Sequence, residues 1–303
     1  MAAILTLPAP AKLNLFLHIT GQRADGYHCL QTVFALLDHG DTLHFERAES
    51  LSLECDDPEV PCDSSNLILR AAQVLQHHTQ TRNGARIRLQ KRLPMGGGVG
   101  GGSSDAATAL LGLNQLWNLG LSLDTLAELG LHLGADVPVF VRGRSAWAEG
   151  VGEQITPVSL PDAHFLVIHP GIHVSTARIF GDRELTRDTP ISKLPASLEA
   201  VLTRDFHNDC EAVAQRHFPE IGKALDWLRQ HTGNARMTGT GACCFARLTG
   251  SQQGQQLLQQ LPQHWTGFVA RSGNTSPLHQ TLGETLAKFR ETKNSGESAQ
   301  THK

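Results

Sequence analysis

Seven consecutive residues, Gly96-Gly97-Gly98-Val99-Gly100-Gly101-Gly102, contain six glycines, and Ser103-Ser104 follow directly before an apolar helical pattern. Such a run has almost no Cβ atoms to shield its backbone, so consecutive N–H groups can turn toward one bound anion. The helix start behind it adds unpaired N–H donors and the positive end of its dipole. A flexible linker has a similar composition. This run, however, is wedged between the charged strand pattern ARIRLQKRL, ended by Pro94, and the helical pattern SSDAATALLGLNQLW. The expectation is a phosphate cradle in which Ser103 or Ser104 caps the helix and both hydroxyls can reach phosphate oxygens or a metal. Six of the chain's 29 glycines sit here, and the other 23 among 303 residues are close to the usual share of about 7%. The glycine excess is one loop.

What is missing narrows the kind of loop. A Walker A sequence needs a lysine directly after the glycines, and none follows. Gly96, Gly98 and Gly101 satisfy G-x-G-x-x-G, as any run this rich in glycine does. The dinucleotide-binding context fails, because several strands precede the loop and no acidic residue ends a strand about 20 residues later. Neither His-Arg-Asp nor Asp-Phe-Gly occurs, which excludes a protein kinase.

Around the loop, hydrophobic patterning alternates between period two and the helical period. Residues 11–19 (AKLNLFLHI) read as a strand, and TVFALL, DTLHFER and SLSLEC continue it, with turns at GDT and DDPEVPCDSS. A helix starts at Ser65 or Asn66, with Leu67, Leu69 or Arg70, Ala71, Val74 and Leu75 on one face. Another runs from Ser122 to Gly134, and ADVPVFV reads as a turn leading into a strand. Residues 145–160 carry hairpin patterning. Beyond them HFLVIHP and TGFVARS read as strands, NDCEAVAQRHF, EIGKALDWLRQH and QQGQQLLQQL as helices, and ARMTGTGACCFARL as strand, glycine turn and strand. The alternation gives a layered α+β protein with one domain over residues 1–160 and a second over 161–290. The tail, 291–303, has no apolar anchor and is expected to be disordered.

Charge sets the partner class. Against 29 acidic residues stand 26 basic ones, a net charge of −3 with a pI near 6.6, so no general field attracts nucleic acid or anionic lipid. No apolar run approaches the roughly 20 residues needed to span a bilayer. The N-terminal segment lacks a charged leader pattern and is interrupted by Lys12, so a soluble, unexported, cytoplasmic protein is expected. The six cysteines show neither CxxC nor zinc-ligand spacing and are expected as buried, reduced thiols.

The segment PMGGGVGGGSSDAA resembles the phosphate loop of the GHMP small-molecule kinase superfamily. Four other segments, Pro10-Ala11-Lys12-Leu13-Asn14-Leu15, Asp25-Gly26-Tyr27-His28, Leu133-Gly134-Ala135-Asp136-Val137-Pro138 and Met237-Thr238-Gly239-Thr240-Gly241-Ala242, resemble further segments of the same superfamily and stand in the same order. The ordered set, spread from about residue 8 to about 280, is most similar to the branch that phosphorylates a cytidine diphosphate-linked methylerythritol in non-mevalonate isoprenoid synthesis. The resemblance implies a two-domain α+β fold, with an N-terminal half like domain 2 of ribosomal protein S5 and a ferredoxin-like C-terminal half. The active site would lie between them, in a monomer or homodimer.

It also implies transfer of the ATP γ-phosphate to a tertiary alcohol. That reaction needs a group to take or orient the hydroxyl proton and cations for the transferring charge. Asp136 is the expected base and Lys12 its cationic partner, placed by strand alternation on one face with Asn14 and Phe16. ATP is expected at Pro94, Met95, Gly96, Gly97, Gly98, Val99, Gly100, Gly101, Gly102, Ser103 and Ser104, with Asn66 and Leu67, and more weakly Lys91, on the adenine side. On the substrate side stand Asn14 near the alcohol, Tyr27 and His28 at the cytidine, Phe180 as a second face for the base, and Thr176, Gly239 and Thr240 near the diphosphate. Mg²⁺ is expected with ATP, but no protein ligand is assigned to it. Asp105 stands where relatives commonly carry a small or neutral residue, and a carboxylate there would repel phosphate. Two rival readings are a homoserine- or mevalonate-type kinase, which would give Tyr27 and His28 no base to bind, and a non-catalytic nucleotide-binding protein.

Overall fold

The computed structural model describes residues 4–194, 198–202 and 206–285; the tail at 291–303 lies outside them. Two very long strands, β1 (Leu5–Gln22) and β2 (His28–Ala48), pair antiparallel along most of their length. The opposite edge of β2 then takes β5 (Ala146–Glu149) near Thr32, β10 (Thr266–Gly273) near Leu36 and β4 (Gly84–Gln90) beyond Thr42. Strand β3 (Leu51–Cys55) runs parallel to β4, and helix α1 (Leu67–Thr79) supplies the crossover that parallel pairing requires. Strand β6 (Gln154–Pro157) closes the expected hairpin with β5. In the second half β10 pairs with β7 (His164–His169), β7 with β9 (Cys244–Leu248) and β9 with β8 (Arg236–Met237). The sheet is therefore continuous across both halves of the chain.

Gly40-Asp41-Thr42 is not the expected turn; β2 runs straight through it. At Gly40 the backbone of β1 approaches so closely that a Cβ would lie 2.1 Å from the Ala9 carbonyl oxygen. Asp41 is buried, and its Oδ1 accepts N–H bonds from Arg92 (2.6 Å) and Leu93 (2.8 Å). Glycine and aspartate serve a close crossing and an anchor here, two roles that look like a turn in composition.

Helices α1, α2 (Gly101–Leu116), α3 (Leu123–Leu131) and α4 (Val137–Arg142) cover the first half. Leu7, Leu43, Phe45 and Ile87 from the sheet meet Ile68, Leu75, Ala106, Leu110 and Val139 from the helices. Asn66 caps α1 by accepting the Ile68 N–H at 2.9 Å, and Ser122 caps α3 through Thr125 N–H. Ile68 and Ala72, rather than Leu67 and Val74, complete the buried face of α1. Leu278, beyond the last strand, returns to this core. In the second half α6 (Asp209–His217) packs on α7 (Pro219–Thr232) and β1, α7 on β9, and α8 (Ser251–Leu258) on β10 and β7, and the short α5 (Thr176–Phe180) borders α6. A third cluster, including Leu13, Phe16, Trp147, Val167, Phe245 and Phe268, joins the two halves. Each fully buried Phe or Leu contributes about 1.5–3 kcal/mol.

Two further expectations need correction. VPVFV is helix α4 and not a strand: Pro138 sits in its first turn, where a missing N–H costs nothing, and its whole apolar run is buried. All six cysteines are unpaired, but only Cys210, Cys243 and Cys244 are buried, while Cys62 is exposed.

Candidate active site

The glycine run leaves β4, bends over β1 and enters α2. Three successive carbonyls of the loop are turned into the protein. Gly97 O accepts from Cys243 N–H (3.0 Å), Gly98 O from the Thr238 hydroxyl (3.2 Å), and Val99 O from Lys12 N–H (2.9 Å). With the carbonyls held inward, the intervening N–H groups are free to face the cavity, the geometry of an anion nest. At Gly98 (φ +73°) a Cβ would lie 2.3 Å from Thr238 O, and at Gly100 (φ +75°) it would meet the Phe140 ring and the Lys12 side chain. The first helical bond is Ser104 N–H to Gly100 O, so Gly100 is the N-cap and neither serine caps the helix. Ser103 lines the cavity. Ser104, one step of about 100° further round the helix, is fully buried with its Oγ unpartnered, and it does not reach the cavity.

Asp136 occupies the N-cap position of α4 in helical backbone geometry (φ −83°, ψ −12°) and makes no cap bond. Its carboxylate is thereby free to face the cavity, where Oδ2 lies 3.2 Å from Lys12 Nζ. The ammonium is itself buried, donates to Asn14 Oδ1 at 2.5 Å and sits 5.3 Å from the centre of the Phe34 ring. Asn14 Nδ2 donates to the Thr32 hydroxyl (3.0 Å), which fixes Oδ1 as the acceptor facing Lys12. The expected face holds for Lys12 and Asn14 and fails for Phe16. A register shift between Asn14 and Leu17 puts Leu17 on the cavity, while Phe16 packs against Trp147 and Phe206.

A cavity of about 610 Å³ runs between these groups. It brings together Lys12, Asn14, Asp136, Pro94, Met95, the loop from Gly96 through Val99 to Gly102, Ser103, Asn66, Leu67, Lys91, Thr176, Phe180, Gly239 and Thr240. Thr176 and Thr240 hydroxyls are 3.1 Å apart, and Asn208 Nδ2 holds the turn beside them by donating to Gly239 O (2.8 Å) and Met237 O (2.9 Å). At the other end, Leu89 of β4 and Val60 and Pro61, the last two concealed by the turn-like composition of DDPEVPCDSS, add an apolar wall. Asn66 spends its side chain on the helix cap and on Pro61 O, so it contributes shape here more than free polar atoms.

Tyr27 is 64% exposed and lies outside the cavity lining. His28 is also outside that lining; it stacks on Phe180 with ring centroids 5.0 Å apart and planes at 21°, so no base fits between those two rings. Arg187, which no sequence signal singled out, donates Nε–H to His28 Nε2 at 3.0 Å. Burial, then the neighbouring Arg187, lowers the His28 pKa.

Asp105 does not face the loop as a bare anion. It is buried beside Lys91, whose ammonium lies 3.5 Å from Asp105 Oδ2 and pairs closely with Asp41. Burial pushes the Asp105 carboxyl up to about 8 against the opposing pull of Lys91, with Asp41 adding to the rise. Lys91 loses to burial but gains more from Asp105 and Asp41, and its pKa rises. Burial thus favours the neutral form of Asp105 beside the close Lys91–Asp41 contact, in place of the bare carboxylate expected there.

Residues 66–144 match the GHMP kinases N terminal domain and residues 192–267 the GHMP kinases C terminal domain. The chain belongs to the GHMP kinase family and has its mixed α/β fold. Within that family it falls among the 4-diphosphocytidyl-2-C-methyl-D-erythritol kinases. It is 78% identical to the Alcanivorax borkumensis protein of that name over 299 residues, covering 97% of this chain and 99% of the relative. Identity to the Chromohalobacter salexigens protein of the same name is 56%, over 92% and 94% of the two chains. A solved structure of a 4-(cytidine 5'-diphospho)-2C-methyl-D-erythritol kinase superposes with a TM-score of 0.76 at 35% identity, covering 89% of this chain and 99% of that one. A mevalonate kinase, at 14% identity and a TM-score of 0.66, shares the fold.

Proposed function

We propose that this chain transfers the γ-phosphate of ATP to the 2-hydroxyl of 4-diphosphocytidyl-2-C-methyl-D-erythritol, in the non-mevalonate route to isoprenoid precursors. The observation that carries the reading is the Lys12–Asp136 pair, 3.2 Å apart, in the cavity that also holds the inward-carbonyl glycine loop. Asp136 takes the proton of the substrate hydroxyl while that oxygen bonds to the γ-phosphorus. The bond to the β-phosphate bridging oxygen breaks, and ADP leaves with the electron pair. Lys12 offsets charge on the carboxylate and on the phosphoryl group in flight. Loop N–H groups and the Ser103 hydroxyl hold the phosphates.

Asn14, its amide oriented by Thr32, positions the alcohol. Thr176, Gly239 and Thr240 flank the diphosphate, and Phe180 on the cavity wall, with His28 stacked on it, marks the cytidine end, which the exposed Tyr27 would have to turn toward to join. A divalent ion accompanying ATP would neutralise phosphate charge. We assign no protein ligand to it, and its principal partners would be the phosphate oxygens of ATP and water. We read residues 1–160 as the ribosomal-protein-S5-domain-2-like half and residues 161–290 as the ferredoxin-like half. No helix among the described residues is long and apolar enough to cross a membrane. We read the protein, by its likeness to the kinases named above, as a cytoplasmic monomer or homodimer. The test is ADP release with and without the cytidyl alcohol. Release that requires the alcohol supports the reading, and equal release without it, or with homoserine or mevalonate in its place, overturns it.

A further inference from the structure

One guanidinium ties the base end of the cavity together. Arg187 Nε donates to His28 Nε2 (3.0 Å), Nη2 to the carbonyls of Phe180 (2.9 Å) and Asp182 (2.7 Å), and Nη1 to the carbonyl of Leu185 (3.0 Å). The two rings it joins, His28 and Phe180, are stacked on each other, and Phe180 lines the cavity. Arginine has five donors and no acceptor. A hydrogen bond from it to imidazole therefore requires a lone pair on Nε2, which leaves the ring proton on Nδ1. Protonating Nε2 as well would set two N–H groups against each other beside a permanent cation. The lowered pKa of His28, from burial first and Arg187 second, agrees with a neutral ring. Among the described residues Nδ1 has no hydrogen-bond partner, and His28 is half-buried behind the cavity wall formed by Phe180, so its N–H is left unspent by the fold.

We propose that Arg187 is a positioning residue for base selectivity: by occupying His28 Nε2 it fixes the neutral Nδ1–H tautomer, a donor matched to the N3 lone pair of cytosine and mismatched to the N3–H of uracil. This rests on the proposed reading of the cavity as a site for a cytidyl substrate. Uracil would place a donor against a donor, and the unmade bond at a half-buried site discriminates against it. The other three bonds of Arg187 hold the 180–185 segment, so the same residue keeps Phe180 beside His28. A purely structural arginine would need those three and not the fourth.

The direct test is ¹⁵N NMR of the histidine-labelled full chain, with His28 assigned by His28→Gln. The expected result is a lone-pair resonance for Nε2 and a protonated Nδ1 at neutral pH. An Nε2–H tautomer, or an imidazolium at neutral pH, overturns the proposal. Kinetics give the second readout: kcat/KM for the cytidyl substrate against its uridyl analogue in wild type and in Arg187→Met. The ratio is expected to fall about tenfold or more in the variant. Loss of activity on both substrates with an unchanged ratio means a structural role only and also overturns it. Failure of wild type to phosphorylate the cytidyl alcohol would sink the proposed function instead, while the tautomer measurement would still read the Arg187 inference.

Discussion

Asp136→Asn isolates the chemical step, because the amide keeps the shape of the carboxylate and loses its ability to take a proton. The Lys12–Asp136 separation of 3.2 Å corresponds to about 1.3 kcal/mol of attraction in bulk water and about 5 kcal/mol at an effective dielectric of 20. Lys12 is only 4% exposed, but the Asp136 side chain is 32% exposed, so solvent screens the pair and the lower part of that range applies, about 1–3 kcal/mol. Lys12 retains Asn14 Oδ1, which further limits the loss in stability. Folding should therefore survive, with urea unfolding shifted by no more than that amount. Catalysis should not: losing the general base costs about 10²–10⁴-fold in kcat. KM for ATP should stay within about threefold, since the loop N–H groups are untouched. Steady-state ADP release at varied ATP, beside equilibrium ATP binding, separates these effects. Turnover within tenfold of the parent would refute the assignment of Asp136. A large rise in KM for ATP with kcat intact would move Asp136 from proton transfer to nucleotide binding.

The buried cluster at Asp105 predicts a pH signature. With its folded-state value near 8 and an ordinary value in the unfolded chain, Asp105 is protonated when folded and ionised when unfolded between about pH 4 and pH 8. Its contribution to stability is fully present below that window and is lost as pH rises through it, by at most about 1.4 kcal/mol per unit. Asp105→Asn should flatten the slope of unfolding free energy from pH 5 to 8, and equal slopes in the two proteins would contradict the neutral carboxyl. Gly100→Ala should raise KM for ATP about tenfold or more with a smaller effect on the alcohol, because its Cβ would meet Phe140 at 2.9 Å in left-handed backbone; unchanged ATP binding would argue against the cradle. Gly112→Ala, which in an open helix would stabilise by about 1 kcal/mol, should instead destabilise by about 1–2 kcal/mol in urea, since its Cβ would lie 2.8 Å from Phe45.

The sequence was most informative where a local rule and the tertiary structure agree. The glycine run, the caps Asn66 and Ser122, and the alternating elements of the second half are places where composition and patterning have one physical reading. Asp136 was recognisable only through family resemblance, because a carboxylate before a Val-Pro pair is ordinarily a cap; the absence of any cap bond in the structure is what frees it. The misses are places where a long-range contact decides. Gly40 and Asp41 resemble a turn until Ala9 O and the N–H groups of Arg92 and Leu93 are opposite them. VPVFV has β-branched strand composition, yet Pro138 sits in a first helical turn and Gly143 closes the segment in left-handed backbone, the signs of a short buried helix. Phe16 was misplaced by a bulge, since a single register shift reverses every face beyond it. Ser104 was misassigned because the helix begins three residues earlier than the serine-cap rule suggests. Arg187 had no signal at all: its role exists only once residue 28 and residues 180–185 are brought together.

Phosphoryl transfer to the cytidyl alcohol is decided by the identity of the product. The full chain is incubated with ATP, Mg²⁺ and the cytidyl methylerythritol substrate, and the product is read by ³¹P NMR beside the ADP count. One new phosphomonoester per ADP is expected, on the tertiary C2 oxygen, with the diphosphate bridge to cytidine intact. A phosphate on a different hydroxyl, or ADP formed without any new phosphomonoester, would contradict it.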